Sequence, residues 1–163
     1  MKSVFTLPLV LSVLFWGAML TYLTDRFSIL VPAQKSVCLK ARFFIVDHYQ
    51  THVEKGDLAV FIYHKDAGPL SVGDKVIKKV AATGNDIVQL EQGELSVNGE
   101  PVATKPMQRM LAALGLSDAL LTQHKILPSD EIFVTGETEN SFDSRYWGTI
   151  KSSAIQGVGY AIL

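Results

Sequence analysis

The chain has 163 residues, of which 15 are basic and 16 acidic, and a formal net charge of -1. Because it lacks a basic surplus or stripe, the composition gives no sign of a nucleic-acid partner. The single cysteine, Cys38, excludes an internal disulfide, and the four scattered histidines lack metal-ligand spacing, so we expect no metal and no other cofactor.

The first segment predicts a membrane span. No charged residue lies between Lys2 and Asp25, and the mainly apolar residues 4–23 are long enough, at about 1.5 Å per residue, to cross a bilayer core of roughly 30 Å. A cleaved signal peptide is the alternative, although its apolar region is usually shorter and ends in a small-x-small site. We therefore predict a transmembrane anchor over residues 1–26 and a body over residues 27–163.

After the anchor, apolar stretches alternate with turn signals. Residues 27–31 form an apolar lead-in that ends at Pro32. Strands are predicted at residues 42–47, 58–63, 75–82, 87–90, 94–97, 126–134 (interrupted by Pro128) and 155–163. Residues 107–121 favour a helix that breaks near Gly115, inside an insert over residues 104–124. The pattern predicts a mainly β barrel or sandwich with one small helical insert.

Two adjacent lysines lie on the predicted strand 75–82. Because alternate side chains face opposite sides of a strand, Lys78 and Lys79 point apart, and one of them can face the core. Burial disfavours the charged form of a lysine, and a neutral lysine can replace histidine as a general base. The alternative is a pair of strand-edge lysines that discourage aggregation.

Residues 136–148 (GETENSFDSRYWG) combine small, polar and charged side chains. Ser141, Asp143 and Arg145 are two residues apart, so on an extended segment they would share one face. A hydroxyl beside an acid and a guanidinium could orient a catalytic group. The alternative is an exposed hairpin tip, since the turn-forming residues of this stretch can bond their own backbone.

Several of these stretches resemble the motifs of type I signal peptidases. Residues 136–148 resemble the last signature of that family, G-D-N-x-x-x-S-x-D-S-R-x-x-G, with one residue fewer between the glycine and the serine. Residues 77–86 (IKKVAATGND) resemble the box that carries the general base, K-R-x-x-G-x-P-G-D, and residues 55–61 (KGDLAVF) resemble the strand between nucleophile and base. The single anchor, the short body and residues 35–39 (KSVCL) resemble the TraF-type peptidases of plasmid conjugation more than the housekeeping signal peptidases.

The resemblance implies a signal-peptidase-like β domain that carries a Ser/Lys dyad. It makes Ser36 the nucleophile and Lys78 the general base, with Ser141 hydrogen-bonded to the lysine amine. The backbone N–H of Ser36 would donate to the oxyanion. Gln34 stands where a hydroxyl often completes the oxyanion hole, so its amide is a further candidate donor.

The same resemblance assigns supporting roles and exposes departures from the family pattern. Asp143 and Arg145 would form the ion pair that shapes the site, with Lys79 in the place of the arginine of the family. Cys38 stands where the conjugation enzymes usually have proline. It is a rival nucleophile, because it shares a face with Ser36 on an extended strand and a thiolate is a competent nucleophile.

The implied function is a membrane-anchored serine endopeptidase that processes a pilin-like precursor for conjugative transfer, by hydrolysis or by joining the new carboxyl end to the precursor's own N-terminus. The implied location is the bacterial inner membrane, crossed once, with the catalytic domain in the periplasm. The alternative functions are a catalytically silent, anchored assembly factor of a pilus or secretion channel, and a housekeeping signal peptidase. The apolar residues Phe43 and Phe44 additionally suggest a rim of the body that enters the bilayer.

Overall fold

The computed structural model describes residues 6–32, 38–65 and 68–162, and within them an N-terminal helix leads directly into a β-rich body. The helices are α1 (Thr6–Arg26), α2 (Gln108–Leu114) and α3 (Ser144–Trp147), with single 3-10 turns at Asp118–Leu121 and Ser152–Ala154. The strands are β1 (Phe27–Leu30), β2 (Phe44–Asp47), β3 (Leu58–Ile62), β4 (Lys75–Ala82), β5 (Ile87–Glu91), β6 (Glu94–Val97), β7 (Glu100–Val102), β8 (Gln123–Ile126), β9 (Glu131–Thr135), β10 (Ile150–Lys151) and β11 (Ile155–Ala161).

The strands form two antiparallel sheets. The larger sheet has the order β1-β2-β11-β3-β4-β9-β10, and the smaller has the order β7-β6-β5-β8. The main core joins Phe61 of the larger sheet to Leu90 of the smaller sheet and Leu111 of α2. The side chain of Val60 lies on the opposite face of β3 from that of Phe61 and packs with Phe44 in a second apolar cluster. The predicted mainly β architecture with a small helical part and a preceding apolar helix is confirmed.

Helix α1 is apolar around its whole circumference. The segment Leu7–Arg26 is long and apolar enough to cross a membrane, and none of it is buried against the body. A helix that is apolar on every side and is left uncovered by the body over most of its length is suited to lipid, and a signal sequence has the same character.

Local turn chemistry explains the smaller sheet. The turns between β5 and β6 and between β6 and β7 each place two consecutive residues at positive φ, Gln92-Gly93 (50° and 88°) and Asn98-Gly99 (54° and 82°). This is the backbone of the two-residue hairpin turns that match the twist of antiparallel strands. The turn predicted at Asn98-Gly99 is confirmed. Likewise Gly115 ends α2 in the left-handed conformation (φ 61°), where the helix was expected to break.

Other segments differ from the sequence prediction. The lead-in after the anchor is a true strand, β1, because it pairs with β2 from Phe27 to Leu30. The strand predicted over residues 126–134 is two strands in different sheets, since Pro128 breaks the run and β8 pairs with β5. The helical part of the predicted insert is accordingly confined to residues 108–114 and 118–121.

Candidate active site

Lys78 is fully buried near the middle of the larger sheet. Its side chain is 0% exposed, whereas the next residue, Lys79, is exposed on the opposite face of β4. Lys78 is paired with Ala59 of β3, whose small side chain leaves room for a long neighbour on the same face. The two lysines therefore point apart as expected, and Lys78 is the one that faces inward.

The amine of Lys78 is held by a hydroxyl. Lys78 Nζ donates to Ser141 Oγ at 3.3 Å, and Ser141 Oγ donates to Asp143 Oδ2 at 2.8 Å. Ser141 is 1% exposed and Asp143 is 0% exposed, so the chain of amine, hydroxyl and carboxylate is shielded from water. Among the described residues, Lys78 forms no ion pair.

Arg145 neutralises the charge of Asp143. The guanidinium binds the carboxylate with two hydrogen bonds of 2.8 Å, from Nε to Oδ1 and from the second amino nitrogen to Oδ2. Burial alone would lower the pKa of Arg145, but the hydrogen bonds and the charge of Asp143 outweigh it, and the net effect raises the pKa. Arg145 also donates to the carbonyl of Lys105 at 2.5 Å, which ties the pair to the segment before α2.

The acid and the guanidinium meet because of a short helix, which the sequence analysis did not anticipate. Asp143 is the N-cap of α3, and its carboxylate accepts a hydrogen bond from the backbone N–H of Arg145 at 3.3 Å. Arg145 therefore lies in the first helical turn, and the extended segment predicted for Ser141, Asp143 and Arg145 is wrong. Ser144 holds this turn against β9, since its hydroxyl accepts a hydrogen bond from the N–H of Val134 at 3.0 Å.

Gly136 allows the close approach on which the site depends. Its N–H donates to Asp143 Oδ2 at 3.0 Å. A Cβ atom at this position would lie 2.0 Å from Ser141 Oγ and 2.7 Å from the carbonyl oxygen of Cys38. Only glycine fits between these groups without moving them.

The segment that follows Ser36 in the chain is bound beside this site. The N–H of Glu137 donates to the carbonyl of Cys38 at 2.8 Å, and the N–H of Lys40 donates to the Glu137 carboxylate at 3.1 Å. The Cys38 side chain is 6% exposed. The predicted nucleophile Ser36 and the predicted oxyanion donor Gln34 lie outside the described residues.

An open groove adjoins the site. It has a volume of about 480 Å³, and its walls include Lys79, Ala81, Thr135 and Gly136. Lys79 contributes to this groove rather than to the Asp143–Arg145 ion pair. The role of Lys79 in the place of the arginine of the family stays a prediction.

Two polar side chains that the sequence analysis missed support α3 from outside. Lys65 Nζ donates to the carbonyl of Trp147 at 2.6 Å and to that of Thr149 at 3.3 Å, and burial lowers the pKa of this amine. The amide of Gln123 donates to the carbonyl of Arg145 at 3.0 Å. Neither residue belongs to a motif, so no local signal could have identified it.

Within the described ranges, no group of three or more His, Cys, Asp or Glu residues is arranged to hold a metal ion. What the residues provide is a buried amine oriented by a hydroxyl, with a compensated carboxylate behind that hydroxyl. That arrangement suits proton transfer to and from a bound chain.

Comparisons with known proteins identify a similar solved structure and a protein family. A solved structure of a signal peptidase I from Enterococcus faecalis V583 is similar, with 19% sequence identity and a TM-score of 0.45, over 66% of this chain and 96% of that chain. Curated protein sequences give no significant match. The model of the family described as signal peptidase, peptidase S26, matches residues 2–163, nearly the whole length. The chain therefore belongs to the signal peptidase S26 family, and this membership indicates a serine peptidase.

Proposed function

We propose that this protein is a membrane-anchored serine endopeptidase of the TraF type, in which Ser36 is the nucleophile and Lys78 the general base, and that it processes a pilin-like precursor for conjugative transfer. One observation carries the proposal. The fully buried Lys78 has a hydroxyl, Ser141, as its hydrogen-bond partner, and Arg145 compensates the nearest carboxylate. A lysine that served only as a structural cation would be expected to face a carboxylate directly.

The acylation step follows from this arrangement. The Ser36 hydroxyl attacks the scissile carbonyl carbon while its proton passes to the neutral amine of Lys78. The oxyanion that forms accepts a hydrogen bond from the backbone N–H of Ser36. The carbon–nitrogen bond then breaks, Lys78 returns the proton to the leaving amine, and Ser36 remains esterified to the precursor.

Ser141 orients the base. One N–H of the Lys78 amine donates to Ser141 Oγ, which leaves the other positions around the nitrogen for exchanging a proton with the nucleophile. The second half-reaction uses the same base, which removes a proton either from water or from the precursor's own amino end.

The groove beside Gly136 supports an extended substrate. The groove is lined by Lys79 and Ala81 of β4 and by Thr135 at the end of β9. Small neighbours such as Ala81 favour small side chains before the cut. The family resemblance likewise implies small residues just before the cut.

An apolar face of the sheet supports placement at the surface of the inner membrane, with the body on the periplasmic side. Ile29, Ile45 and Tyr160 are paired across β1, β2 and β11, and each is exposed, by 74%, 39% and 49%. Such a face beside an apolar helix is suited to the bilayer surface. Of the two residues predicted to form a rim, Phe43 is 44% exposed, but Phe44 is fully buried, so that part of the expectation is wrong.

The product of a co-expressed pilin-like precursor tests the proposal. Mass spectrometry of the processed chain should show a single cut after small residues, in wild-type cells only and not in cells with Lys78→Ala. A product that is one water lighter than the linear chain would assign cyclisation, and a linear product would assign hydrolysis. Cleavage of unrelated secretory precursors with equal efficiency would replace the conjugation role with that of a housekeeping signal peptidase. An unprocessed precursor in wild-type cells would favour the catalytically silent assembly factor.

A further inference from the structure

The membrane helix and the catalytic body are joined through a buried carboxylate. Arg26 is the last residue of α1, and β1 begins at the next residue, Phe27. The Arg26 guanidinium donates from Nε to both oxygens of Asp47 at 3.1 Å, and from a terminal nitrogen to Asp47 Oδ2 at 2.7 Å. Asp47 is 4% exposed, and these hydrogen bonds hold the pKa of its carboxyl below the usual range.

Further contacts strengthen this connection between α1 and the body, which we call the Arg26–Asp47 junction. The other terminal nitrogen of Arg26 donates to the Tyr22 hydroxyl at 2.7 Å, and the Tyr49 hydroxyl donates to Asp25 at 2.6 Å. The guanidinium carbon lies 5.8 Å from the centre of the Tyr49 ring and 6.0 Å from that of Tyr22. The direction of α1 relative to the sheet is therefore fixed by several independent contacts, rather than by a flexible linker.

The junction and the proposed general base lie in one row of the larger sheet. Asp47 of β2 is paired with Val158 of β11, Val158 with Ala59 of β3, and Ala59 with Lys78 of β4. Residues paired in this way share a face and lie at the same level along the strands. Three strand spacings of about 4.8 Å separate Asp47 from Lys78 by about 14 Å.

In a hydrogen-bonded row of this kind, the position of one residue fixes the positions of the residues paired with it. Antiparallel strands resist sliding, since a slip of one residue would turn every side chain in the row to the other face. The contact between Arg26 and Asp47 therefore fixes the distance of Lys78 from the end of α1. The stabilising effect of a partly exposed ion pair is small, and Arg26 is 34% exposed in its side chain, so stability alone is a weak reason for so many contacts.

We propose that Arg26 and Asp47 are positioning residues that set the distance between the bilayer and the Lys78 site, and so select a cut at a fixed number of residues from the precursor's own membrane segment. This inference rests on the proposed function. It assigns a specificity to the junction that a purely structural role would not have. A precursor whose cut site is moved outward, by about 3.3 Å for each inserted extended residue, should escape the wild-type site.

The test uses the full-length enzyme in lipid vesicles with two kinds of substrate. One is a soluble peptide that spans the cut, and the other is a series of membrane-inserted precursors lengthened one residue at a time between the membrane segment and the cut. The variants are Asp47→Asn and Arg26→Gln. Asp130→Asn, which removes an exposed partner of Lys151 elsewhere on the body, is the matched control.

The junction variants should cleave the soluble peptide at the wild-type rate. Their cleavage of the precursor of native length should fall roughly tenfold to a hundredfold, because small misplacements of reacting groups have effects of this size. Their preference among the lengthened precursors should broaden or shift, whereas Asp130→Asn should keep the wild-type profile.

Other outcomes would overturn the inference in distinguishable ways. An unchanged length profile in both junction variants would remove the positioning role and leave the proposed function intact. Loss of peptide cleavage in both variants would show that the junction acts on the fold of the body rather than on distance. Arg26→Gln separates these cases from misfolding of Asp47→Asn, because Arg26 lies at the helix end and outside the apolar cores. A wild-type enzyme that cleaves neither substrate would overturn the proposed function, and this inference with it.

Discussion

The amine of Lys78 lies 3.3 Å from the hydroxyl oxygen of Ser141, and both side chains are inaccessible to water. The hydroxyl stands between a lysine and a carboxylate that Arg145 already binds. Lys78 is thus oriented without being paired to a charge. We expect this arrangement of a base that gives and accepts protons, whereas a structural cation would face a carboxylate directly.

Ser141→Ala tests that relationship. Without the hydroxyl, the amine loses its orienting partner, while Asp143 keeps the N–H of Gly136 and the guanidinium of Arg145. The kcat for a soluble peptide should fall roughly tenfold to a hundredfold, a part of the 10²–10⁴-fold that proton transfer commonly contributes. KM and the thermal midpoint should change little. An unchanged kcat would mean that Ser141 does not orient the base.

Gly136→Ala tests the close packing behind the dyad. The added methyl group would overlap Ser141 Oγ and the Cys38 carbonyl, so the variant should be inactive and less stable by about 1–3 kcal/mol. Thermal unfolding and peptide cleavage measure the two effects. Gly17→Ala is the control, because a Cβ there would have no neighbour within 4 Å. Full activity of Gly136→Ala would show that the site tolerates a wider spacing than the structure indicates.

The motifs allowed Lys78, Ser141, Asp143 and Arg145 to be named from the sequence, because they fall within short stretches of unusual composition. Their geometry was less accessible. A four-residue helix such as α3 is too short to show a helical period, so its effect on Arg145 could not be foreseen.

Contacts between distant parts of the chain were beyond prediction for a similar reason. Lys65 reaches the end of α3 across 82 residues of sequence, and no spacing rule connects them. Strand β7 was missed because Pro101 opposes strand formation, and the structure resolves this by placing β7 at the edge of the smaller sheet. The mainly apolar run between two turn signals, in contrast, was sufficient to predict β4.

Glu137 is expected to hold the segment that carries the nucleophile. Its carboxylate accepts the N–H of Lys40, and its own N–H binds the Cys38 carbonyl. Glu137→Ala should lower kcat by roughly tenfold, whereas Glu137→Gln, whose amide oxygen can still accept the bond, should stay near wild type. Glu139→Ala, at an exposed neighbouring carboxylate, provides the control. Equal rates for the alanine and glutamine variants would argue against this positioning role.

Glu131 should make the stability of the body depend on acid pH. Hydrogen bonds from Thr149 and Lys125 lower the pKa of its carboxyl from 4.5 to about 2. A carboxyl with a lowered pKa in the folded state stabilises the fold above its unfolded pKa, and this contribution is lost as the pH falls from about 4.5 toward 2. Denaturant unfolding of wild type and Glu131→Gln should show a difference in stability that shrinks across this window. A difference that is constant with pH would contradict the assignment.

The most direct test of the Ser/Lys dyad is the processing of a co-expressed pilin-like precursor by single-residue variants, followed by mass spectrometry. We expect Ser36→Ala and Lys78→Ala to abolish processing, Cys38→Ala to retain it, and Lys75→Ala, an exposed lysine on the same strand as Lys78, to match wild type. Loss of processing in Cys38→Ala together with activity in Ser36→Ala would make Cys38 the nucleophile. Processing by both Ser36→Ala and Lys78→Ala would contradict the dyad.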